Sequence, residues 1–152
     1  MTRPISRTSP AKRKQRRAAR RRVRAKLDHT IVWCSDQEKS AHFLTEILGL
    51  PPPRRFLGFL VVDLANDVSV DYMAAESEPI ALQHLAFLIT EAAFDAALPR
   101  VRKLAGEIWA DPARTQPGRI NHHWGGRGVY FQDPDGHLFE LITKPYGDPA
   151  KL

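Results

Sequence analysis

Glu140 stands where an ordinary strand has no use for a carboxylate. It lies inside Leu138 to Thr143, an apolar and branched run that follows the turn Asp133-Pro134-Asp135-Gly136. Proline presets φ in such a turn and glycine takes the positive φ, so Val129-Tyr130-Phe131 and Leu138 to Thr143 read as the strands of a β-hairpin. An ionised carboxylate buried there is costly unless a positive group compensates it, and the strand holds no Lys or Arg before Lys144. A metal ion would supply that charge. His29, in Leu27-Asp28-His29-Thr30-Ile31-Val32-Trp33, and His84, in Leu82 to Ile89, stand near the starts of two more apolar strands. Alternation places His29 with Ile31 and Trp33, and His84 with Ala86 and Leu88. Two imidazoles and one carboxylate on an ion leave coordination positions open, an arrangement used by non-haem iron oxygenases and by Zn, Mn, Ni or Co centres acting as Lewis acids.

The elements that carry these residues repeat. After the first strand, Ser35 and Asp36 can cap a helix through Phe43 and Leu48 to Gly49; after the second, Thr90 caps one through Phe94, Leu98, Val101 and Leu104 to Gly106. A shift of 55 residues superposes the two strand-helix units and carries His29 onto His84, and a shift of 69 lays Phe59 to Met73 over Gly128 to Ile142. Asp71 then falls on Glu140. The chain reads as two βαβββ-like halves whose awkward residues form symmetric pairs. Strand parity puts Tyr130 and Gln132 on the Glu140 side, where the Tyr130 hydroxyl can reach an oxygen on the ion. His122 and His123 precede the loop Gly125-Gly126-Arg127-Gly128, a place where substrate contacts are common. Arg127 and the pair Arg54-Arg55 are candidates for steering an anion.

With those residues in view, the chain resembles the vicinal oxygen chelate superfamily, which includes glyoxalase I, fosfomycin resistance proteins, extradiol dioxygenases and bleomycin-binding proteins. The resemblance runs from Ala25 to Tyr146 and implies an α+β fold of two tandem βαβββ modules forming a curved, cleft-bearing mixed sheet. It implies modules over about 27–78 and 82–146 within a domain of residues 27–147. It also implies that His29, His84 and Glu140 hold one divalent metal ion: Fe2+ is favoured if the reaction is a dioxygenation, and Zn2+, Ni2+ or Mn2+ otherwise. The run from Asn121 to Glu140 is similar to the signature of ring-cleaving dioxygenases, in which His123 matches a histidine that contacts substrate. At the place of Asp71, glyoxalase-like relatives carry a glutamate that is both ligand and base, and ring-cleaving relatives carry an acid-base histidine on the same strand. Aspartate is shorter, so it reaches an ion through water or serves as a general base. The catalytic set expected around the ion is thus Asp71, His123 and Tyr130. The implied substrate is a small molecule that chelates through vicinal oxygens, in an extradiol-dioxygenase-like or a glyoxalase-like reaction. The alternative is a non-enzymatic, drug- or antibiotic-sequestering dimer of the bleomycin resistance type. Relatives often pair modules across chains, so a homodimer is expected.

Length and charge narrow the classes further. The chain of 152 residues suits one compact domain, and it lacks an apolar run long enough to span a membrane or to serve as a secretory signal. A cytoplasmic location is expected, which the single cysteine, Cys34, fits. Cys34 reads as a structural thiol at a strand end. The formal charge of +6 is unevenly placed: residues 1–26 hold twelve of the 23 Lys and Arg and no acid, leaving eleven against 17 acids, a net of −6, for the rest. Residues 1–26 read as a basic disordered tail, and 148–152 as a short C-terminal tail. Nucleic-acid binding through the basic tail would be salt-dependent, but the tail has no aromatic residue for base stacking. It also reads as a transit peptide or as a start placed too far upstream.

Overall fold

The computed structural model describes residues 25–77 and 79–147; the rest of the expected basic tail and the expected tail at 148–152 lie outside the described residues. Strand β1 (His29–Cys34) leads into helix α1 (Gln37–Leu48), then β2 (Arg54–Phe56), β3 (Phe59–Asp63) and β4 (Ser69–Ala74). The second half repeats that order with β5 (His84–Leu88), α2 (Glu91–Leu104), β6 (Ile108–Trp109), β7 (Gly128–Gln132) and β8 (Leu138–Ile142). This is the α+β fold of two βαβββ modules. Each module builds its own four-stranded mixed sheet, in the orders β1-β4-β3-β2 and β5-β8-β7-β6. First and last strands pair in parallel, and the other neighbours pair antiparallel. The register preserves the internal repeat, with Val61 opposite Asp71 in one sheet and Tyr130 opposite Glu140 in the other.

Both helices start and stop where their end residues can satisfy free backbone groups. Asp36 accepts from the Lys39 N–H at the start of α1, and Gly49 ends it at φ 70°. Thr90 accepts from the Ala93 N–H at the start of α2, which passes through Pro99 and closes at Ala105, with Gly106 at φ 79° just beyond. The helices pack on each other and cover one face of the sheets. Phe43, Leu44 and Ile47 of α1 and Phe94, Ala97 and Val101 of α2 meet Val32, Tyr72, Phe131, Phe139 and Leu141 in one core.

The turn that joins β7 to β8 also ties the modules together. His137 is wholly buried; its Nδ1 accepts from the Gln83 N–H at 3.0 Å, and its Nε2 donates to the Trp33 carbonyl at 2.8 Å. Asp135 accepts from the Ser35 N–H at 3.0 Å and from the Ser40 hydroxyl at 2.9 Å, so the second hairpin grips the strand-to-helix corner of the first module. His137→Ala would leave a donor and an acceptor unpaired and a cavity between the modules. We expect it to cost about 2 to 4 kcal/mol, read as a lower denaturant midpoint.

Cys34 is fully buried, with its thiol donating to the Met73 carbonyl, and burial, reinforced by the nearby Asp135 carboxylate, pushes its pKa up to about 11. The thiolate is the reactive form. The folded protein is therefore expected to resist thiol-labelling reagents at pH 8 and to react only after denaturation; rapid labelling of the folded chain would contradict this packing.

On the sheet faces away from the helices, the first strand of each module is the exposed one. His29 and Trp33 of β1, and His84, Ala86 and Leu88 of β5, are exposed there. Apolar side chains are prominent among the exposed residues: Trp33 is 46% accessible, Phe56 53%, Leu57 81% and Leu88 57%.

Candidate metal centre

The parallel pairing of β5 with β8 sets Ala86 beside Glu140, so His84, two residues earlier on the same face, leans towards that carboxylate. His84 Nε2 lies 3.5 Å from Glu140 Oε2. The other ring nitrogen, Nδ1, is 2.9 Å from the Leu138 carbonyl oxygen. A carbonyl only accepts, so Nδ1 carries the hydrogen and a neutral ring turns the Nε2 lone pair towards Glu140.

Glu140 is wholly buried, and its two oxygens differ. Oε1 accepts a hydrogen bond from the Tyr146 hydroxyl, while among the described residues Oε2 has no hydrogen-bond partner. A buried carboxylate oxygen thus faces the imidazole Nε2. Either a proton on Nε2 or a metal ion between the two atoms would satisfy that pair, and 3.5 Å is close to the span left by two donors each about 2.1 Å from one ion. The donor set fits a divalent metal.

Tyr130, directly opposite Glu140 on β7, completes this cluster. Its ring stacks on His84 with centroids 6.0 Å apart, and its hydroxyl lies 2.9 Å from that of Tyr146. Burial, with Tyr146 and Glu140 alongside, pushes the Tyr130 pKa upwards; burial and then Glu140 do the same for Tyr146. Both therefore keep their protons at neutral pH.

The equivalent pair in the first module is arranged differently. His29 lies opposite Ser69 and two residues from Ile31, which pairs with Asp71. Its Nδ1 is 2.8 Å from Asp28 Oδ2, and that hydrogen bond, with Asp71 adding to it, raises the His29 pKa. Asp71 is nearly buried, and its Oδ1 accepts from the Ser69 hydroxyl at 2.6 Å. Its Oδ2 is left for other partners.

The three-ligand set expected from the sequence does not come together within one chain. His84 and Glu140 are neighbours, but His29 belongs to the other sheet, and among the described residues no three His, Cys, Asp or Glu side chains are grouped to hold an ion. The cause is the pairing pattern. Each module joins its own first strand to its own last strand, so each histidine is placed beside the carboxylate of its own half. Asp71 likewise stands with His29 and away from Glu140. His123 begins a short 3-10 turn, His123–Gly125, before β7, and its side chain is exposed. A cavity of about 640 Å³ where the sheets meet has His84, Ala86, Thr30 and Val70 on its walls, with Glu140, Tyr130 and Asp71 outside it.

The arginines are occupied. Arg127 donates to Glu91 Oε2 at 2.6 Å and Asp95 Oδ1 at 2.7 Å while lying 4.6 Å above the Phe94 ring. Arg54 is paired with Asp63, and Arg55 with Glu38. These ion pairs fasten loops and strands and engage the three arginines that the sequence offered for steering an anion. Tyr146 was missed by sequence reasoning because it lies past the last strand; the signal for it is an aromatic residue right after Pro145, six residues from Glu140.

Comparison with known proteins bears on this arrangement. The family model of the Glyoxalase/Bleomycin resistance protein/Dioxygenase superfamily matches residues 26–141. The chain is 30% identical over 122 residues to the glutathione transferase FosA of Serratia marcescens, covering 76% of this chain and 78% of that one. The solved structure of the oxidase ChaP-H1 superposes with a TM-score of 0.78 at 48% identity, over 81% of this chain and 98% of that chain. The fosfomycin resistance protein FosX from Mesorhizobium loti superposes with a TM-score of 0.59 at 25% identity, over 84% and 98% of the respective chains.

Proposed function

The chain belongs to the glyoxalase/bleomycin resistance protein/dioxygenase superfamily, and from that premise we propose that it is a metal-dependent enzyme acting on a small molecule that chelates the ion through two adjacent oxygens. Among the reactions open to such a site, oxidation by an extradiol-dioxygenase-like route is preferred. The likeness to an oxidase, at 48% identity over 81% of this chain, exceeds the 30% identity to a glutathione transferase. The observation that carries the reading is the orphaned Glu140 Oε2 facing His84 Nε2.

His84 and Glu140 hold the ion together with His29 of a second copy, in a homodimer whose first module from one chain closes over the second module of the other. The exposed Trp33, Phe56, Leu57 and Leu88 supply apolar area for that contact. Two equivalent sites result, as a two-fold axis requires.

The metal supplies charge withdrawal from the two substrate oxygens and, if it is iron, one-electron chemistry with dioxygen. The chain's own residues do the rest. Asp71 comes with His29 and takes a substrate proton on Oδ2, while the Ser69 hydroxyl keeps Oδ1 in place. Tyr130, held neutral, hydrogen-bonds a substrate oxygen, and its ring stacked on His84 excludes water from that side. His123 reaches the substrate from the loop before β7.

Metal content by mass spectrometry tests the reading. Iron near one equivalent per chain, with oxygen uptake on catechol-type substrates, is the expected result. Bound zinc, nickel or manganese with thiol-dependent turnover would move the reaction to the glyoxalase or transferase side. No ion after reconstitution with each would leave a ligand-sequestering dimer as the account. Asp71→Asn, which keeps the shape and removes the base, is expected to lower kcat by about 100-fold or more with metal content unchanged; unchanged kcat would remove Asp71 from the mechanism.

A further inference from the structure

We infer that Tyr146 is a positioning residue of the metal centre: it holds Glu140 Oε1 so that Oε2 alone is presented to the ion. This rests on the proposed ligand role of His84 and Glu140, and it goes beyond that role by naming what aims the carboxylate.

Glu140 projects from the face of its sheet that no helix covers, yet it is wholly buried. After β8 the chain bends through Thr143, Lys144 and Pro145 and brings Tyr146 back to it. The Tyr146 hydroxyl donates to Glu140 Oε1. A phenol has one proton, so the 2.9 Å contact between the two tyrosine oxygens must use the proton of Tyr130, with the Tyr146 oxygen accepting. The order of donation is therefore fixed, from Tyr130 to Tyr146 to Glu140.

That order has two consequences. A carboxylate with one oxygen pinned by a phenol is restrained about its terminal torsion, which is otherwise broad, and so meets an ion through one oxygen rather than two. With its proton given to Tyr146, the Tyr130 hydroxyl meets a substrate oxygen as an acceptor, taking a hydrogen bond from a protonated one. Tyr146 is 47% exposed, so removing its hydroxyl leaves the core intact.

The test compares full-length wild type, Tyr146→Phe and Glu140→Ala, each stripped of metal and titrated with Co2+ and Mn2+ against a chelator of known affinity. Tyr146→Phe is expected to bind one ion per chain about 10- to 100-fold more weakly than wild type. Its Co2+ visible absorption should shift, while the melting temperature of the metal-free form stays close to that of wild type. Glu140→Ala is expected to lose binding. Affinity and Co2+ spectrum unchanged in Tyr146→Phe, with binding lost in Glu140→Ala, would overturn the role of Tyr146 and leave the ligand assignment standing. Binding retained in Glu140→Ala, or absent from wild type, would overturn both.

Discussion

Equal amounts of His29→Ala and His84→Ala chains, each without a complete site, are expected to recover about a quarter of the wild-type metal content and activity when refolded together. The reason is the way the ligands divide. His84 and Glu140 are neighbours on the second sheet, whereas His29 lies on the first, and among the described residues no third ligand joins the pair within one chain. If the second module of one copy is completed by the first module of another, a mixed dimer holds one site with every ligand intact and one site missing two. Random pairing makes about half the dimers mixed, and half their sites work. The converse mixture sharpens the test. A chain carrying both substitutions, refolded with wild type, should reduce the wild-type chain's metal content, because every mixed dimer then has two damaged sites. Independent sites within single chains predict the opposite in both mixtures: no recovery in the first and no interference in the second.

That division of ligands was not legible in the sequence, although the parts were. The internal repeat places Asp71 over Glu140 and His29 over His84 because hairpin and strand-helix units have fixed spacings, and the register keeps both matches. Asp36, Gly49 and Thr90 mark the helix ends because their chemistry is local. What periodicity cannot carry is which strand of one half faces which strand of the other. The Asp133-to-His137 turn illustrates the limit. Its proline and glycine announce a hairpin, yet its Asp135 and His137 side chains are spent gripping Ser35, Ser40, Trp33 and Gln83, contacts between residues some 54 to 104 positions apart. Arg127 is similar. In the sequence it is a cation in a glycine-rich loop; in the fold it is committed to Glu91 and Asp95 one turn apart on α2.

Glu140→Gln should separate folding from metal binding with effects of opposite sign. In the metal-free protein, Glu140 Oε2 is buried, has no hydrogen-bond partner among the described residues and faces His84 Nε2 at 3.5 Å. Glutamine has nearly the same shape; its carbonyl oxygen can still accept from Tyr146, and its amide can donate to the His84 lone pair. The substitution removes a buried charge and supplies the missing donor, so the metal-free variant is expected to be more stable than metal-free wild type by about 1 to 3 kcal/mol, a rise of several degrees in Tm. Metal reverses the ranking. An anionic ligand is lost, and affinity should fall by roughly 100-fold or more, so saturating metal stabilises wild type by mass action and leaves the variant where it was. Thermal melts of both proteins with and without the ion contain the whole test. A variant less stable than wild type without metal would mean that Oε2 is satisfied by the protein itself, and the case for a cation beside His84 would fall with it.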